Sequence, residues 1–516
     1  MKINRTQNAT RNITFGLISK LYQMIVPFFM RTAMIYLLGV EYLGLNSLFA
    51  SVLQVLNLAE LGVGTAMVYS MYKPIAEDDE VTICALMKLY RLYYRVIGLI
   101  IAVIGCVITP FIPMLISGDV PDNVNIYILY LLNLSATVLS YWLFAYKNSI
   151  LQAHQRTDIA NKVLLITNTV QYILQLMVLL LFRNYYGYVI IILFSQVLNN
   201  VMTALAANKL YPQYKPSGTI KKEKVKQINN RIKDLFTSKI GAIVYDSADT
   251  IVISAFLGLT ALAIYQNYFY IVTAVSALIS IIFTACTAGI GNSIVVETKE
   301  KNFKDFSKFT MIICWISGFC ATVMLCYYQP FMELWVGKDL MLSVSAVICF
   351  VIYFFVRQLN ALYNLYKDAA GVWHEDRFRP LAAALTNLIL NLILVQFIGL
   401  YGILISTVVA IIGVGMPWLL RNLFTVIFDK KYMTAYLKKV LFYVLVVVFG
   451  CAVSYFICSF INIGLIGTIL IRGIVCVFIT NLIYYISYRK TDEFKQIIVM
   501  ANSITKGKFR KIFEKM

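Results

Sequence analysis

The stretch NKLYPQYKPSGTIKKEKVKQINNRIKDLFTSK, from Asn208 to Lys239, is the only long polar segment between the two termini of this chain. It carries nine Lys and Arg side chains against two acids, Glu223 and Asp234. On either side the sequence is apolar over long distances, interrupted only by short polar connections. Because basic loops stay on the cytoplasmic side of a membrane, this pattern predicts a cytoplasmic loop, residues 208–239, that joins two halves of an integral membrane protein.

The composition supports the same class of protein. Of the 516 residues, 60% are hydrophobic and only 14% are charged, whereas soluble domains carry about 25% charged residues. The formal charge of +20 does not indicate nucleic acid, because the basic side chains lie between apolar runs and form no stripe with stacking aromatics. The composition therefore predicts an all-α integral membrane protein whose basic side chains contact membrane lipids.

The apolar runs predict about fourteen transmembrane helices, since each span needs about 20 mostly apolar residues. The predicted spans are residues 14–39, 43–70, 92–117, 124–147, 160–183, 186–208, 238–257, 260–290, 309–335, 341–366, 380–399, 402–427, 437–460 and 464–488. With both termini cytoplasmic, 40 of the 45 Lys and Arg fall in cytoplasmic segments and two in outside loops. This distribution satisfies the positive-inside rule and supports both the orientation and an even number of spans.

An internal repeat indicates how the helices are arranged. RTAMIYLLGVEYLGLNSLF, from Arg31, aligns with DTIVISAFLGLTALAIYQNYF, from Asp249, so that Gly39 matches Gly258. The two copies start six predicted helices apart, so they have the same orientation, which predicts a parallel pseudo-two-fold repeat. The predicted organisation is an N-terminal lobe (1–207), the basic loop (208–239), a C-terminal lobe (240–428), two additional helices (429–488) and a basic cytoplasmic tail (489–516). The tail predicts either an amphipathic helix on the inner leaflet or a frayed, solvated end.

The cysteines and histidines predict no metal site. Ten cysteines are scattered, mostly inside apolar runs, without a CxxC pair, and are typical of small buried hydrophobic residues. The two histidines, His154 and His374, fall in short polar loops without evident partners. The residues likewise indicate no cofactor.

Ionisable residues inside predicted spans are the candidate functional residues, because such groups are costly in a membrane and usually face a bundle interior or a wet cavity. Arg31, Glu60 and Arg357 are predicted to line a translocation cavity. Asp246 and Asp249 share one helix face at i, i+3, which is typical of a site that couples transport to a proton or a sodium ion. The alternative for all of them is structural, with the carboxylates paired to the arginines and holding the lobes together.

The segment LGVEYLGLNSLFASVLQVLNLAELGVGTAMVYSMYKPIAEDD, from Leu38 to Asp79, resembles the bacterial polysaccharide repeat-unit flippases. These belong to the multidrug/oligosaccharidyl-lipid/polysaccharide (MOP) exporter superfamily. The resemblance is carried by the LG-x-x-x-LG-x-N turn, the ELG-x-G run and the Y-x-P-I-A-x-x-D exit. NSILQAHQRTDIANKV, from Asn148, and the repeat copy from Asp249 match as well, and a layout of two six-helix lobes plus two helices fits the whole chain.

The resemblance implies a multi-pass protein of the bacterial cytoplasmic membrane that moves undecaprenyl-diphosphate-linked oligosaccharides to the outer leaflet for O-antigen, capsule or exopolysaccharide synthesis. Such a protein is a transporter and not an enzyme, and a polysaccharide polymerase is its expected partner. The alternatives are a cation-coupled multidrug exporter of the same superfamily and a lipid II flippase. One feature departs from the family, whose cavity is thought to be cationic, because two helix arginines here accompany three acids. Bases at the cytoplasmic mouth are the other candidates for the diphosphate: Lys20, Arg95, Lys147, Lys239 and Lys367.

Overall fold

The computed structural model describes residues 5–118, 120–461 and 463–504. Within these ranges the chain is almost entirely helical and contains no β-strand, which confirms the predicted all-α class. Its internal contacts divide it into two compact units, Met1–Ala263 and Ile264–Met516, each described here by itself.

The first unit contains eight complete helices and the beginning of a ninth. They are α1 (Arg5–Leu37), α2 (Val40–Leu56), α3 (Val63–Ala76), α4 (Glu80–Ile108), α5 (Ile126–Trp142), α6 (Asn148–Ala153), α7 (Thr157–Phe182), α8 (Tyr185–Leu210) and α9 (Lys222–Val296), of which α9 continues past Ala263. Short 3-10 turns cover Asn57–Glu60, Thr109–Leu115 and Ala145–Lys147.

The second unit begins within α9 and contains the remaining helices. They are α10 (Lys299–Val336), α11 (Val344–Ala369), α12 (Arg379–Ile398), α13 (Leu400–Ala410), α14 (Met416–Val426), α15 (Met433–Ser459), α16 (Leu465–Val475), α17 (Asn481–Tyr488) and α18 (Asp492–Ile504). Two π-helical turns, Ile411–Gly415 and Cys476–Thr480, continue α13 into α14 and α16 into α17.

Among the described residues, eleven helices are long and apolar enough to cross a membrane, or twelve if the bent pair α5–α6 is one span. This makes the chain a multi-pass membrane protein, although the predicted count of fourteen is not reached. α1, which carries Lys20 and Arg31, is not among the eleven. The predicted spans 238–257 and 260–290 overlap with one apolar stretch, Ile243–Thr284. Its 42 residues are about twice what one crossing needs, so fourteen stays a prediction.

The two glycines matched by the repeat have the same unusual backbone. Gly39 has φ of 130° and Gly258 has φ of 84°, a region that a side chain disfavours and glycine permits. Both glycines interrupt helical structure, and the Thr260 hydroxyl donates to Glu41 at 3.5 Å nearby. The predicted two-lobe symmetry and domain boundaries themselves stay predictions.

The basic loop and the tail are more ordered than a solvated linker. α9 already begins at Lys222, so the second half of the predicted loop is helical. In the first half, Tyr211 and Tyr214 are buried. In the tail, residues 492–504 form α18, where Phe494 stacks on Trp315 of α10 at 6.0 Å. The described part of the tail is therefore helical, and its location on the inner leaflet stays a prediction.

Candidate functional site: a polar cavity between two broken helices

Two helices that the sequence predicts as continuous are broken in the first unit. The span predicted at 43–70 is interrupted between α2 and α3, where Gly62 has φ of 85° and cannot continue a right-handed helix. The span predicted at 124–147 is interrupted after α5, where Phe144 has φ of 58°. α5 and the turn leading into α6 are bent by 47°. Broken membrane helices expose polar groups at membrane depth, which is tolerated where they line a cavity.

A cavity of about 410 Å³ lies against both breaks. Glu60, at the end of the turn after α2, lies on one wall, and its carboxylate accepts from the backbone N–H of Gly64 at 3.3 Å. The Tyr94 hydroxyl donates to the same carboxylate oxygen at 3.2 Å, and the Tyr90 hydroxyl donates to Tyr94 at 2.6 Å. A chain of hydroxyls thus ends on one acid, an arrangement in which each bond strengthens the next.

Aromatic rings line the same wall. The Tyr94 and Tyr141 rings meet edge to face with centroids 5.3 Å apart, and the Tyr90 and Tyr94 rings lie 4.4 Å apart. The Tyr141 hydroxyl donates to Asn57 Oδ1 at 3.1 Å, which ties α5 to the turn that carries Glu60. This network holds the acid in a defined position beside the open volume.

The other walls consist mainly of neutral hydrogen-bonding side chains, namely Ser140, Asn148, Ser149, Gln152, Gln196, Asn199, Asn200 and Thr203. Asn200 is held by a bond from its amide to the Ser140 carbonyl at 2.7 Å. Asn148 Oδ1 is buried and accepts no hydrogen bond from any described residue. Since a buried polar atom without a partner costs about 1–3 kcal/mol, Asn148 is suited to a donor from a ligand or from water.

Of the five site residues predicted from the sequence, Glu60 lines this cavity. Arg31 is half-buried in α1 and is not among the residues that line the cavity. Asp249 is buried in α9 at 8% exposure, while the side chain of Asp246 lies outside the described residues. Arg31, Asp246 and Asp249 belong to the first unit.

Arg357 belongs to the second unit. Its guanidinium donates to the Tyr353 hydroxyl at 2.8 Å, and its carbon lies 6.0 Å from the centre of the Phe269 ring. This environment is aromatic, and it stabilises the cation partly through the ring faces.

A second groove, of about 430 Å³, lies between α4 and the segment after α8. Three bases of α4, Lys88, Arg91 and Arg95, line it together with the chain around Pro216 and Gly218. Lys147, another predicted mouth base, is instead buried and donates to the Tyr214 carbonyl at 3.2 Å. Of the predicted mouth bases, Arg95 lies in a groove with other cations, while the side chain of Lys239 lies outside the described residues.

The residues that the sequence reasoning missed are mostly neutral. Tyr90 and Tyr94 stand at i, i+4 on α4, and Asn199 and Asn200 interrupt the apolar run of α8. Polar pairs inside a span are a usable signal, because amides in a membrane helix need partners. The tyrosines gave no such signal, because they are two of 35 tyrosines spread through the chain.

Residues 9–288 match the model of a family described as "Polysaccharide biosynthesis protein". The chain belongs to this family. The matched region contains both helix breaks and the whole Glu60 cavity. The family resemblance noted from the sequence is thereby confirmed. No match was found among curated protein sequences.

Solved structures of the MOP superfamily have the same fold as this polysaccharide biosynthesis protein. "Lipid II flippase MurJ, inward closed conformation" matches with a TM-score of 0.65 and 16% identity over 92% of this chain and 99% of that chain. An inward-facing multidrug resistance MATE family transporter of the MOP superfamily matches at 0.60 and 15%, over 82% and 99%. A single-residue mutant of the Vibrio cholerae MATE transporter VcmN matches at 0.55 and 16%, over 81% and 96%. At these identities the likeness shows the fold alone.

Proposed function

We propose that this protein is a flippase that carries undecaprenyl-diphosphate-linked oligosaccharide repeat units from the cytoplasmic to the outer leaflet by alternating access. It would act in the bacterial cytoplasmic membrane, with both termini cytoplasmic, and supply a polysaccharide polymerase. The observation that supports this best is the chemistry of the Glu60 cavity, whose walls combine neutral amides and hydroxyls with tyrosine rings.

Such walls suit the sugar head of a lipid-linked substrate. Sugar hydroxyls both donate and accept, and amide side chains offer both functions within one group. Asn148 Oδ1 is a buried acceptor that a sugar hydroxyl would satisfy. The partly exposed rings of Tyr94 and Tyr141 give the apolar side of a pyranose an aromatic partner. A site of this kind binds without forming a covalent bond, as transport requires.

The diphosphate needs cations, and the groove on α4 provides a cluster of them. Arg91 and Arg95, with Lys88, can contact phosphate oxygens through charge-assisted hydrogen bonds. Arg31 and Arg357 remain proposed anion contacts deeper in the helices. This division of roles separates the acid of the sugar cavity from the bases that would hold the diphosphate.

Coupling to a proton or sodium ion is part of the proposal. Glu60 is a half-buried carboxylate held by two donors, and Asp249 is a buried one on α9. Asp249 and Asp246 stay the proposed coupling pair, with Glu60 in the translocation cavity. Protonation of either site would remove a buried charge and thereby change the balance between conformations.

Two other cargoes are supported by specific observations. A carboxylate in an aromatic cavity also suits a cationic drug, and MATE transporters share the fold. The MurJ likeness favours a lipid II flippase, whose substrate is also a lipid-linked saccharide. The decisive measurement uses a strain that lacks the protein, in which surface polysaccharide and the lipid-linked repeat unit on each leaflet are quantified.

Loss of surface glycan with the lipid-linked unit stranded on the cytoplasmic side is the expected result. Unchanged glycan with increased sensitivity to cationic dyes would replace the proposal with a drug exporter. Arrest of peptidoglycan synthesis with lipid II stranded inside would replace it with a lipid II flippase.

Variants test the sites within the same strain. Glu60→Gln and Arg91→Gln should each lower the rate of transport, read out as surface glycan, at least about tenfold at unchanged membrane abundance, equivalent to about 1.4 kcal/mol of activation free energy. The matched controls are Glu333→Gln and Lys73→Gln, since both residues form exposed surface ion pairs, with Lys338 and Glu77, which contribute little. Arg31→Ala and Arg357→Ala should also reduce transport, and normal glycan in both would remove them from the site.

A further inference from the structure

Three cysteine thiols from separate helices meet inside the second unit. Cys326 lies in α10, Cys458 lies near the end of α15, and Cys476 begins the π-helical turn after α16. Their sulfur atoms all lie within 4.8 Å of one another, and the residues are 1%, 1% and 0% exposed. The convergence of three thiols is unexpected from the sequence, in which no two of these cysteines are close.

The spacing fits ligands on one metal ion. A thiolate binds a metal such as zinc at about 2.3 Å, so three thiolates around one ion in a trigonal plane lie about 4 Å apart. The observed separations therefore need a shift of less than about 1 Å to reach this geometry. Because the three cysteines lie on helices that already pack together, the ligands are preorganised and the ion would cost little ordering of the chain.

A cation stands beside the thiols. Arg472 of α16 donates through Nη1 to the Cys326 carbonyl at 3.1 Å and through Nη2 to the Ile461 carbonyl at 3.3 Å. Its buried Nε has no hydrogen-bond partner among the described residues. Thiolates in an apolar interior need a compensating cation, and a guanidinium with an unused buried donor provides one.

The ligand set selects the class of metal. Thiolates are soft ligands that favour Cu(I) and zinc over harder cations. Structural zinc takes four ligands, whereas the described residues bring three to this position. We propose that Cys326, Cys458 and Cys476 form a three-thiolate site for a cuprous ion. Binding is a ligand exchange without redox change: the three thiol protons are released, three copper–sulfur bonds form, and the copper stays monovalent.

An ion at this position would connect α10, α15 and the turn between α16 and α17. The last two of these elements belong to the pair of helices that follows the predicted C-terminal lobe. Occupancy would therefore stabilise the attachment of these C-terminal helices to α10, because a ligand that binds only the folded state raises its stability.

The test uses the purified full-length protein in detergent without oxygen. Cu(I) is titrated against a chromogenic Cu(I) chelator, and thiolate-to-copper absorption is recorded in the near ultraviolet. We expect one Cu(I) per chain and a rise in the unfolding temperature. Cys326→Ser, Cys458→Ser and Cys476→Ser should each weaken binding at least about tenfold, since loss of even an outer partner of a metal ligand costs 10–100-fold.

The matched controls are Cys349→Ser and Cys106→Ser, which change cysteines outside the cluster and should leave the affinity unchanged. Absence of the absorption band in the unaltered protein would overturn the proposal without any variant. Cu(I) binding as tight in the three cluster variants as in the unaltered protein would overturn the proposal as well. Preference for zinc over Cu(I) at the same concentrations would overturn the assignment of the metal.

Discussion

The Glu60 cavity of the first unit and an aromatic cluster of the second unit both contain aromatic rings. The rings border open volume in the cavity and pack against one another in the cluster. The aromatic cluster consists of Phe303, Phe306, Tyr366, Phe424, Phe428 and Tyr436, all buried. Phe306 is fully buried and lies 4.9 Å from Phe428 and 4.8 Å from Tyr436, ring centre to ring centre. In the cavity, Tyr90, Tyr94 and Tyr141 instead surround open volume.

Helix continuity is one part of the difference. The cluster is built mainly on α10, α11, α14 and α15, with Phe428 in the turn that follows α14. The helical parts keep side chains at regular spacing, so that rings such as those of Phe306 and Tyr436 pack closely against one another. The cavity lies where α2 and α5 end early, at Asn57 and Leu143. The polar volume therefore coincides both with interrupted helices and with amide and hydroxyl side chains on its walls, such as Asn148 and Asn200.

The largest expected effect is that of Phe306→Ala. Removal of a fully buried ring from a close-packed cluster leaves a void, and such changes cost about 3–5 kcal/mol. The control is Phe29→Ala, which removes a ring that is 63% exposed and should cost far less. Thermal unfolding of both variants in detergent is the measurement. Equal stability of the two would show that the cluster is not tightly packed.

Glycine-to-alanine changes compare the Glu60 cavity with another buried part of the second unit, around Gly318, by the same added methyl group. At Gly318 the new carbon would lie 2.6 Å from Tyr484 Oη and from a Val447 methyl, both on buried side chains of the second unit. Overpacking of this kind costs about 1–3 kcal/mol. At Gly64 the closest atoms are Glu60 Oε1 and Tyr90 Oη at 3.0 Å.

Because the Glu60 and Tyr90 side chains border the cavity, they can move, and Gly64→Ala should destabilise the protein by less than about 1 kcal/mol. It should nevertheless reduce transport, since the methyl group displaces the acid. The checks are unfolding temperature and surface glycan for both variants. A stability loss at Gly64 as large as at Gly318 would contradict the openness of the cavity.

Much of the difference between the cavity and the cluster could not be predicted from the sequence, for a physical reason. Hydropathy places spans well, so the predicted 160–183 and 380–399 agree closely with α7 (Thr157–Phe182) and α12 (Arg379–Ile398). Both breaks beside the cavity were missed, because hydropathy does not respond to backbone conformation. Gly62 permitted a positive φ without requiring it, and Phe144 adopts one that its own side chain disfavours, so only tertiary packing explains it.

The candidate site was predictable only in part, for a related reason. Glu60 stood out because a charge in an apolar run is rare. The neutral amides and tyrosines around it, and the thiols of Cys326 and Cys458, carry no such cost and become a site only through long-range contacts. The relation of Arg31, Arg357, Asp246 and Asp249 to transport stays a prediction.

Tyrosine-to-phenylalanine changes separate a working hydroxyl from a structural one. Tyr94→Phe removes the donor to Glu60, and Tyr436→Phe removes a hydroxyl that lies 3.0 Å from Thr310 Oγ1 in the cluster. Loss of either hydrogen bond should cost about 1 kcal/mol. At Tyr94 we expect this cost to appear as roughly fivefold slower transport. At Tyr436 we expect it to appear as a lower free energy of unfolding. Normal transport in Tyr94→Phe would mean that the hydroxyl chain does not position the acid.

The smallest effect concerns the His154 stack, an aromatic group that can titrate near neutral pH, unlike the Phe and Tyr cluster. The ring of His154 is buried and packs against Tyr211 at 4.2 Å and Tyr214 at 5.5 Å, centre to centre. Burial lowers the pKa of His154, and the hydrogen bond of its Nδ1 to the Ile150 carbonyl opposes this only partly. The folded protein therefore holds this ring neutral at a pH where the unfolded chain would protonate it.

Stability should consequently be independent of this group above its unfolded pKa of about 6.5 and fall as the pH drops below that value. Because one proton is involved, this group can change the free energy of unfolding by at most about 1.4 kcal/mol per pH unit. His154→Gln should remove it, whereas His374→Gln, at an exposed position, should leave the profile unchanged. Unfolding temperatures between pH 5 and 8 for the three proteins measure the difference. An unaltered slope in His154→Gln would mean that acid weakens the fold through other groups, and the stack would then be as insensitive to pH as the aromatic cluster.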